Sequence, residues 1–185
     1  MWRLVGVFLL AVALAPAAAC GSSDAPPPST VAVLVAVPQA VLTSVSIIAD
    51  AARGGDPELV ADLAAAGFEF DFARPDVALL DYLGSDDGEL LRRLVAVLES
   101  APGRRQSPFG NGAIQELWVY PALALEPVSD WAPQDIDEAL VTGLFSSEEL
   151  AAYIAADAYL GYSVGVTPEG EWVFFVEGQV SNTPR

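Results

Sequence analysis

The chain has no histidine, one cysteine and one methionine in 185 residues, and all 8 of its basic residues are arginine, so lysine is missing too. Without histidine there is no Ser-His-Asp triad, and the commonest general base and the commonest zinc ligand are gone. Without lysine there is no Schiff base and no Ser-Lys dyad. A single cysteine, Cys20, excludes an intramolecular disulfide. The 8 arginines face 25 acids, for a formal net charge of −17. Such a surface repels nucleic-acid phosphates and anionic headgroups, so no nucleic-acid partner is expected. Carboxylates, tyrosines, serines and arginines remain. No cofactor and no metal is expected of that set. An enzyme would have to work through paired carboxylates, as in glycoside hydrolysis.

What is present begins with an address. Met1-Trp2-Arg3 sets one positive charge before an uncharged apolar run, Leu4 to Leu14, and Ala15-Pro16-Ala17-Ala18-Ala19 precedes Cys20. A positive start, an apolar stretch and a small-residue cleavage site define a secretory signal. The run is shorter than the roughly 20 residues that a membrane span takes. The small residues before Cys20, with Gly21-Ser22-Ser23 after it, resemble the lipobox of bacterial lipoproteins. That resemblance implies a diacylglyceryl group on the sulfur of Cys20, cleavage just before it, and attachment to a membrane. Ala17 stands where that family usually has leucine, and Ala17-x-Ala19 also suits the ordinary signal peptidase.

The expected organisation is a signal peptide over 1–19, a Ser/Pro-rich tether over 20–30, one α+β domain over 31–180 and a disordered tail over 181–185. Cleavage before Cys20 would leave 25 acids against 7 bases, a net of −18. Hydrophobic residues make up 53% of the chain, enough for one real core.

Periodicity and punctuation outline the domain. Residues 31–37 read as an apolar strand or extended piece, followed by a helix that Pro38 opens and Gly54-Gly55 ends. Asp56 caps a second helix with Pro57 at its first position; Leu59, Val60, Leu63 and Ala64 form its buried stripe and Gly67 closes it. Phe68-Glu69-Phe70-Asp71-Phe72 alternates as a half-buried strand. Residues 77–83 form a short helix or turn. Ser85-Asp86-Asp87-Gly88-Glu89 starts a helix whose apolar residues run from Leu90 to Leu98. Arg104 to Gly112 reads as a loop, and 113–125 as a strand broken at Pro121. Pro133 and Asp135 start another helix, through Leu144. Ser146-x-x-Glu149 is a capping box for the last one. Tyr162 to Val166 and Glu171 to Val176 form a hairpin joined by Thr167-Pro168-Glu169-Gly170, with glycine at the left-handed position of the turn. Helices and strands do not alternate as βαβ units. The expected fold class is therefore α+β, with several helices on a small antiparallel sheet that ends in this hairpin.

The tail carries a second resemblance. Gly161-Tyr162-x-x-Gly165 followed by Gly170-x-Trp172-x-Phe174-Phe175-Val176-x-Gly178 is similar to the C-terminal end of a group of uncharacterised exported bacterial proteins. That group also tends to carry a Y-x-W-P segment, for which Trp118-Val119-Tyr120-Pro121 is the counterpart with its aromatics exchanged. The resemblance covers about residues 110–180. It implies export and a shared hairpin, and no catalytic residue.

Several groups are candidates for a site. Trp118, Tyr120, Trp131, Tyr162 and Trp172 could form an aromatic row that stacks on sugar rings or peptides, and Trp118, Tyr120, Tyr162 and Trp172 are taken as the candidate ligand-binding residues. The plainer reading, that they fill the core, is favoured. On the hairpin, alternation puts Trp172, Phe174 and Val176 on one face and Val173 and Phe175 on the other, so the strand is either sandwiched or displays one apolar face. Asp86, Asp87 and Glu89 read better as helix capping than as a calcium loop, which would need ligands at alternate positions. Glu69 and Asp71 could be a carboxylate pair, though alternation alone would place them on a solvated face. Arg104-Arg105 could grip an anion or only neutralise nearby acids. The expected function is a non-enzymatic, lipid-anchored envelope protein that binds an envelope protein or glycan. The alternative is a carboxylate-dependent hydrolase acting on envelope glycans.

Overall fold

The computed structural model describes residues 36–70, 77–109 and 113–178. The chain divides between Val35 and Ala36, and the described residues all belong to the unit that begins at Ala36. The expected signal peptide, Cys20, the tether, residues 31–35 of the expected first strand, Asp71, Phe72, residues 110–112 and the tail lie outside the described residues.

Local punctuation sets most helix ends. Helix α1 (Gln39–Arg53) starts after Pro38 and stops at Gly54. Helix α2 (Pro57–Asp62) is capped by the Asp56 carboxylate, which accepts from the Leu59 amide at 3.0 Å. It is shorter than its apolar pattern suggests. Val60 is fully buried, but Leu59 is 50% exposed and Ala64 already belongs to the next strand. Gly67 does not close the helix; it sits at φ +80° inside strand β1 (Ala64–Phe70), in the stretch where the strand's register shifts.

Helix α3 (Leu79–Leu83) precedes helix α4 (Glu89–Leu98), where the Asp86 carboxylate takes the Leu90 amide at 2.9 and 3.1 Å. Strands β2 (Gly103–Phe109) and β3 (Ala113–Tyr120) follow. Two 3₁₀ turns, Ala122–Leu125 and Val128–Asp130, lead into α5 (Pro133–Thr142) and α6 (Ser147–Ala156). The Ser146–Glu149 capping box forms in both directions. Strands β4 (Tyr162–Val166) and β5 (Trp172–Glu177) form the expected hairpin, with Gly170 at φ +92° and its amide on the Thr167 carbonyl at 2.9 Å.

The fold is α+β, with a five-stranded sheet in the order β1-β5-β4-β3-β2. Strands β2 to β5 are antiparallel to their neighbours, and β1 adds to β5 in parallel, so the sheet is mixed. The segment read as a loop from Arg104 is strand β2, paired residue for residue with β3. Its sequence lacks hydrophobic alternation, but its burial alternates: Arg105 and Ser107 are half-covered while Arg104 and Gln106 are exposed. Backbone pairing to β3 forms the strand, and a long, largely apolar arginine stem lets Arg105 occupy a half-covered position there.

Helix α4 packs on β4, α1 on α4 and α2, and α2 on α3. On one face of the central strands Trp118 and Tyr120 stand with Val164, Val166 and Phe175; on the other Leu117 and Val119 stand with Ser163, Gly165, Phe174 and Val176. All of these are buried, so the hairpin is sandwiched. A register shift between Gly165 and Val166 sets Trp172 opposite Val166, which breaks the simple alternation of Trp172 with Phe174.

Candidate functional site

The structure separates the aromatic candidates. Trp118, Tyr120 and Trp172 are core residues, 4%, 2% and 1% exposed. Trp172 donates its indole N–H to the Phe174 carbonyl at 3.0 Å and meets the Phe68 ring edge-on at 4.5 Å. Trp131 is buried too, stacked on Phe145, with its N–H on the Leu123 carbonyl at 3.2 Å. No exposed aromatic row forms among the described residues. The indole N–H of Trp118, the phenol of Tyr120 and the hydroxyl of Ser163 are sealed without a hydrogen-bond partner, and burial pushes the Tyr120 phenol up. Of the four candidates, only Tyr162 reaches a surface hollow, and it is half-buried there.

That hollow is a groove of about 350 Å³ between α4, α6 and the outer end of the β4–β5 hairpin. Asp86, Glu89 and Arg93 come from the start of α4, Glu149 and Tyr153 from α6, and Leu160, Gly161, Tyr162 and Glu177 from the hairpin end. A larger hollow, about 550 Å³, lies between α1 and α4. Its lining offers less chemistry: Arg53 is tied to Asp50 and Glu99, and Arg92 to Glu89.

Arg93 organises the groove. Its Nε donates to Glu89 at 3.0 Å, and its Nη1 donates to Glu149 at 2.6 Å, joining α4 to α6. The hydrogen bonds from Arg92 and Arg93 hold the Glu89 carboxyl below its ordinary range. Burial alone would raise Glu149, but the Ser146 amide, the Ser146 hydroxyl and Arg93 outweigh it, and its carboxyl is also held low. For Arg93 burial works against the charge, and the two carboxylates more than offset it.

The tyrosines line the inner wall. Burial, then the Glu149 charge, pushes the Tyr153 phenol up to about 12. Tyr159 lies deeper; its hydroxyl donates to the Tyr162 carbonyl at 2.8 Å, and burial raises its phenol strongly. Tyr162 stacks on Phe175 at 5.0 Å and hydrogen-bonds Tyr82; burial is the larger effect and raises its phenol. Gly161 leaves room for the phenols. A Cβ there would fall 2.7 Å from the Tyr159 hydroxyl and 2.8 Å from that of Tyr153.

The other candidates lie elsewhere in the fold or serve as helix caps. Asp86 caps α4, and among the described residues no group of His, Cys, Asp and Glu is placed to hold a metal ion. Glu69 is half-covered on β1 and burial raises its carboxyl. Arg104 reaches Glu116 at 3.4 Å, and burial lowers the Arg105 guanidinium. Sequence reasoning reached Tyr162 in the groove and found Asp86, Glu89 and Glu149 as capping residues. It missed Arg93, Tyr153 and Glu177 as site residues, for they come from separate elements with no shared local motif. No known protein family, curated protein or solved structure matches the chain.

Proposed function

We propose that this chain is an exported bacterial envelope protein, held at a membrane by a lipid on Cys20, that binds an envelope protein or glycan and does not catalyse a reaction. The export signal, the lipobox-like segment and the likeness of the tail to a group of exported bacterial proteins support the address. The observation that carries the binding reading is Arg93. It engages both Glu89 and Glu149, and those carboxyls are held low. Carboxylate-pair hydrolysis needs the reverse, one carboxyl raised to act as general acid.

Detergent phase partitioning tests the address. Wild type should enter the detergent phase and carry acyl mass on Cys20; Cys20→Ser should stay aqueous. Identical partitioning with no acyl mass would remove the lipid. Titration of the protein with envelope saccharides and peptides tests binding, with perturbation expected at groove residues and no turnover.

The hydrolase reading rests on a specific observation, the raised carboxyl of Glu69. If envelope glycans are cleaved and Glu69→Gln abolishes cleavage, the chain is an enzyme.

A further inference from the structure

We infer that the free edge of β3 beside the β4–β5 turn takes an extended segment of a partner protein, bearing a lysine or arginine, as an added strand. This rests on the proposed binding function; it names the partner as protein and sets its contact away from the α4–α6 groove. Strand β2 follows β3 from Ala113 to Val119, whereas β4 follows it only from Trp118 to Tyr120. The β2–β3 ribbon therefore runs on past the end of β4. A strand directs backbone groups to both of its edges. From Ala113 to Glu116 the edge on the β4 side has no strand against it among the described residues.

The turn does not fill that edge. Its backbone closes on itself: the Thr167 amide donates to the Glu171 carbonyl and the Gly170 amide to the Thr167 carbonyl, each at 2.9 Å. Pro168 has no N–H to give. A hollow of about 320 Å³ remains between Gln115 and Glu116 of β3 and Thr167, Pro168, Glu169 and Glu171 of the turn. Strand β2, at the end of the sheet, contains two arginines and a proline, which discourage strand addition. The β3 edge has neither over these residues and leaves Ile114 73% exposed.

Charge selects the partner. Glu116, Glu169 and Glu171 border the hollow. Arg104 reaches Glu116 at 3.4 Å, and the carboxylates of Glu169 and Glu171 have no ion pair among the described residues. A second copy brings another −17 and is repelled. Added strands are held by main-chain hydrogen bonds and chosen by alternate side chains. Ile114 and Glu116 stand two residues apart and share a face. A segment in line with β4 runs antiparallel to β3. The fitting order is therefore a cation opposite Glu116, one residue between, then an apolar side chain opposite Ile114.

The test is a titration of the full chain in detergent solution with the peptide acetyl-Thr-Lys-Thr-Val-Thr-amide, followed by amide NMR. The amides of Ile114, Gln115 and Glu116 should shift, and added salt should weaken binding. The same peptide with glutamate for lysine should not bind, and the one with lysine and valine exchanged should bind about fivefold more weakly. Glu169→Gln combined with Glu171→Gln, both at exposed positions, should lower affinity about fivefold as well. N-methylation of alternate peptide amides tests main-chain pairing without touching the fold: one set should abolish binding and the other should leave it. Equal binding of the lysine and glutamate peptides, or indifference to both methylated sets, would overturn the inference. Shifts confined to Tyr162 and Glu177 would place the partner in the groove; this inference would then fall and the binding reading would stand. No shift at either place removes this inference, and if diacetylchitobiose causes none either, the binding reading goes with it. Shifts from Ile114 to Glu116 that follow the concentration of the chain alone would assign the edge to a second copy and overturn the basic partner.

Discussion

The ring of Phe174 lies on the α-carbon of Gly165, its cross-strand partner: a Cβ built at Gly165 would fall 2.1 Å from Cε1 of that ring. The neighbouring Gly161 is likewise closed around the hydroxyls of Tyr159 and Tyr153, and the Gly178 amide returns to the Gly161 carbonyl at 2.9 Å. The glycines and aromatics of the tail are therefore packing partners that seat β4 against β5 and α6.

Gly165→Ala should destabilise the domain by about 1–3 kcal/mol, the usual cost of overpacking a filled core. For a domain of this size that lowers Tm by roughly 2–12 °C. Gly165→Ala combined with Phe174→Leu should recover part of the loss. An unchanged Tm for the single variant would mean that the Phe174 ring can swing aside freely.

Trp172→Ala should cost about 3–5 kcal/mol, because it empties a core site and removes the donor to the Phe174 carbonyl. Gly170→Val should also melt low for a separate reason. Gly170 sits at φ +92°, and a side chain there would meet the Ala40 carbonyl and the Ser44 hydroxyl, both at 2.8 Å. That contact seats α1 on the turn, where Ser44 donates to the Gly170 carbonyl at 2.5 Å. Near-normal folding of Trp172→Ala would contradict its place in the core.

At high pH the tyrosine wall should fail first. The Tyr153 phenol is raised to about 12, above its ordinary value of about 10. A raised folded value contributes stability that is whole below pH ~10 and is lost as pH climbs from there through the folded value. Tyr159 is shifted the same way and adds to the loss. Phenolate absorbance and circular dichroism should change together above pH ~10. Independent phenol titration without unfolding would show that these rings are accessible.

At low pH the sign reverses. Glu89 and Glu149 are held low, so their contribution is present above about pH 4.3 and fades as pH falls through the folded values. Arg93→Met should move the acid-unfolding midpoint modestly upward, because each carboxylate loses one partner while Arg92 still holds Glu89 and Ser146 still holds Glu149. Ser146→Ala should cost about 1 kcal/mol through the lost cap. With no histidine to titrate, denaturant stability should be flat between about pH 6 and 8. A steep change there would indicate a carboxyl raised far above its ordinary value.

Some features of this protein were decided by neighbours in sequence. The Asp56 cap, the Ser146–Glu149 box and the Thr167–Gly170 turn each close through bonds that span three or four residues, so residue type and spacing specify them. The absence of histidine and lysine, which bounds the chemistry, needs no fold at all. Other features were decided only by tertiary structure. Strand β2, polar and arginine-rich, exists because β3 offers a backbone to pair with, and β1 ends up parallel to a strand about a hundred residues further along the chain. The half-exposure of Leu59, the sealing of Trp118 and Tyr120, and the meeting of Arg93 with Glu149 and of Tyr153 with Gly161 follow from how layers close over one another. Apolar periodicity says that a face is covered. Which face covers it, and which charges meet at the rim, depends on contacts between distant segments, and those are set by the packing of the whole chain.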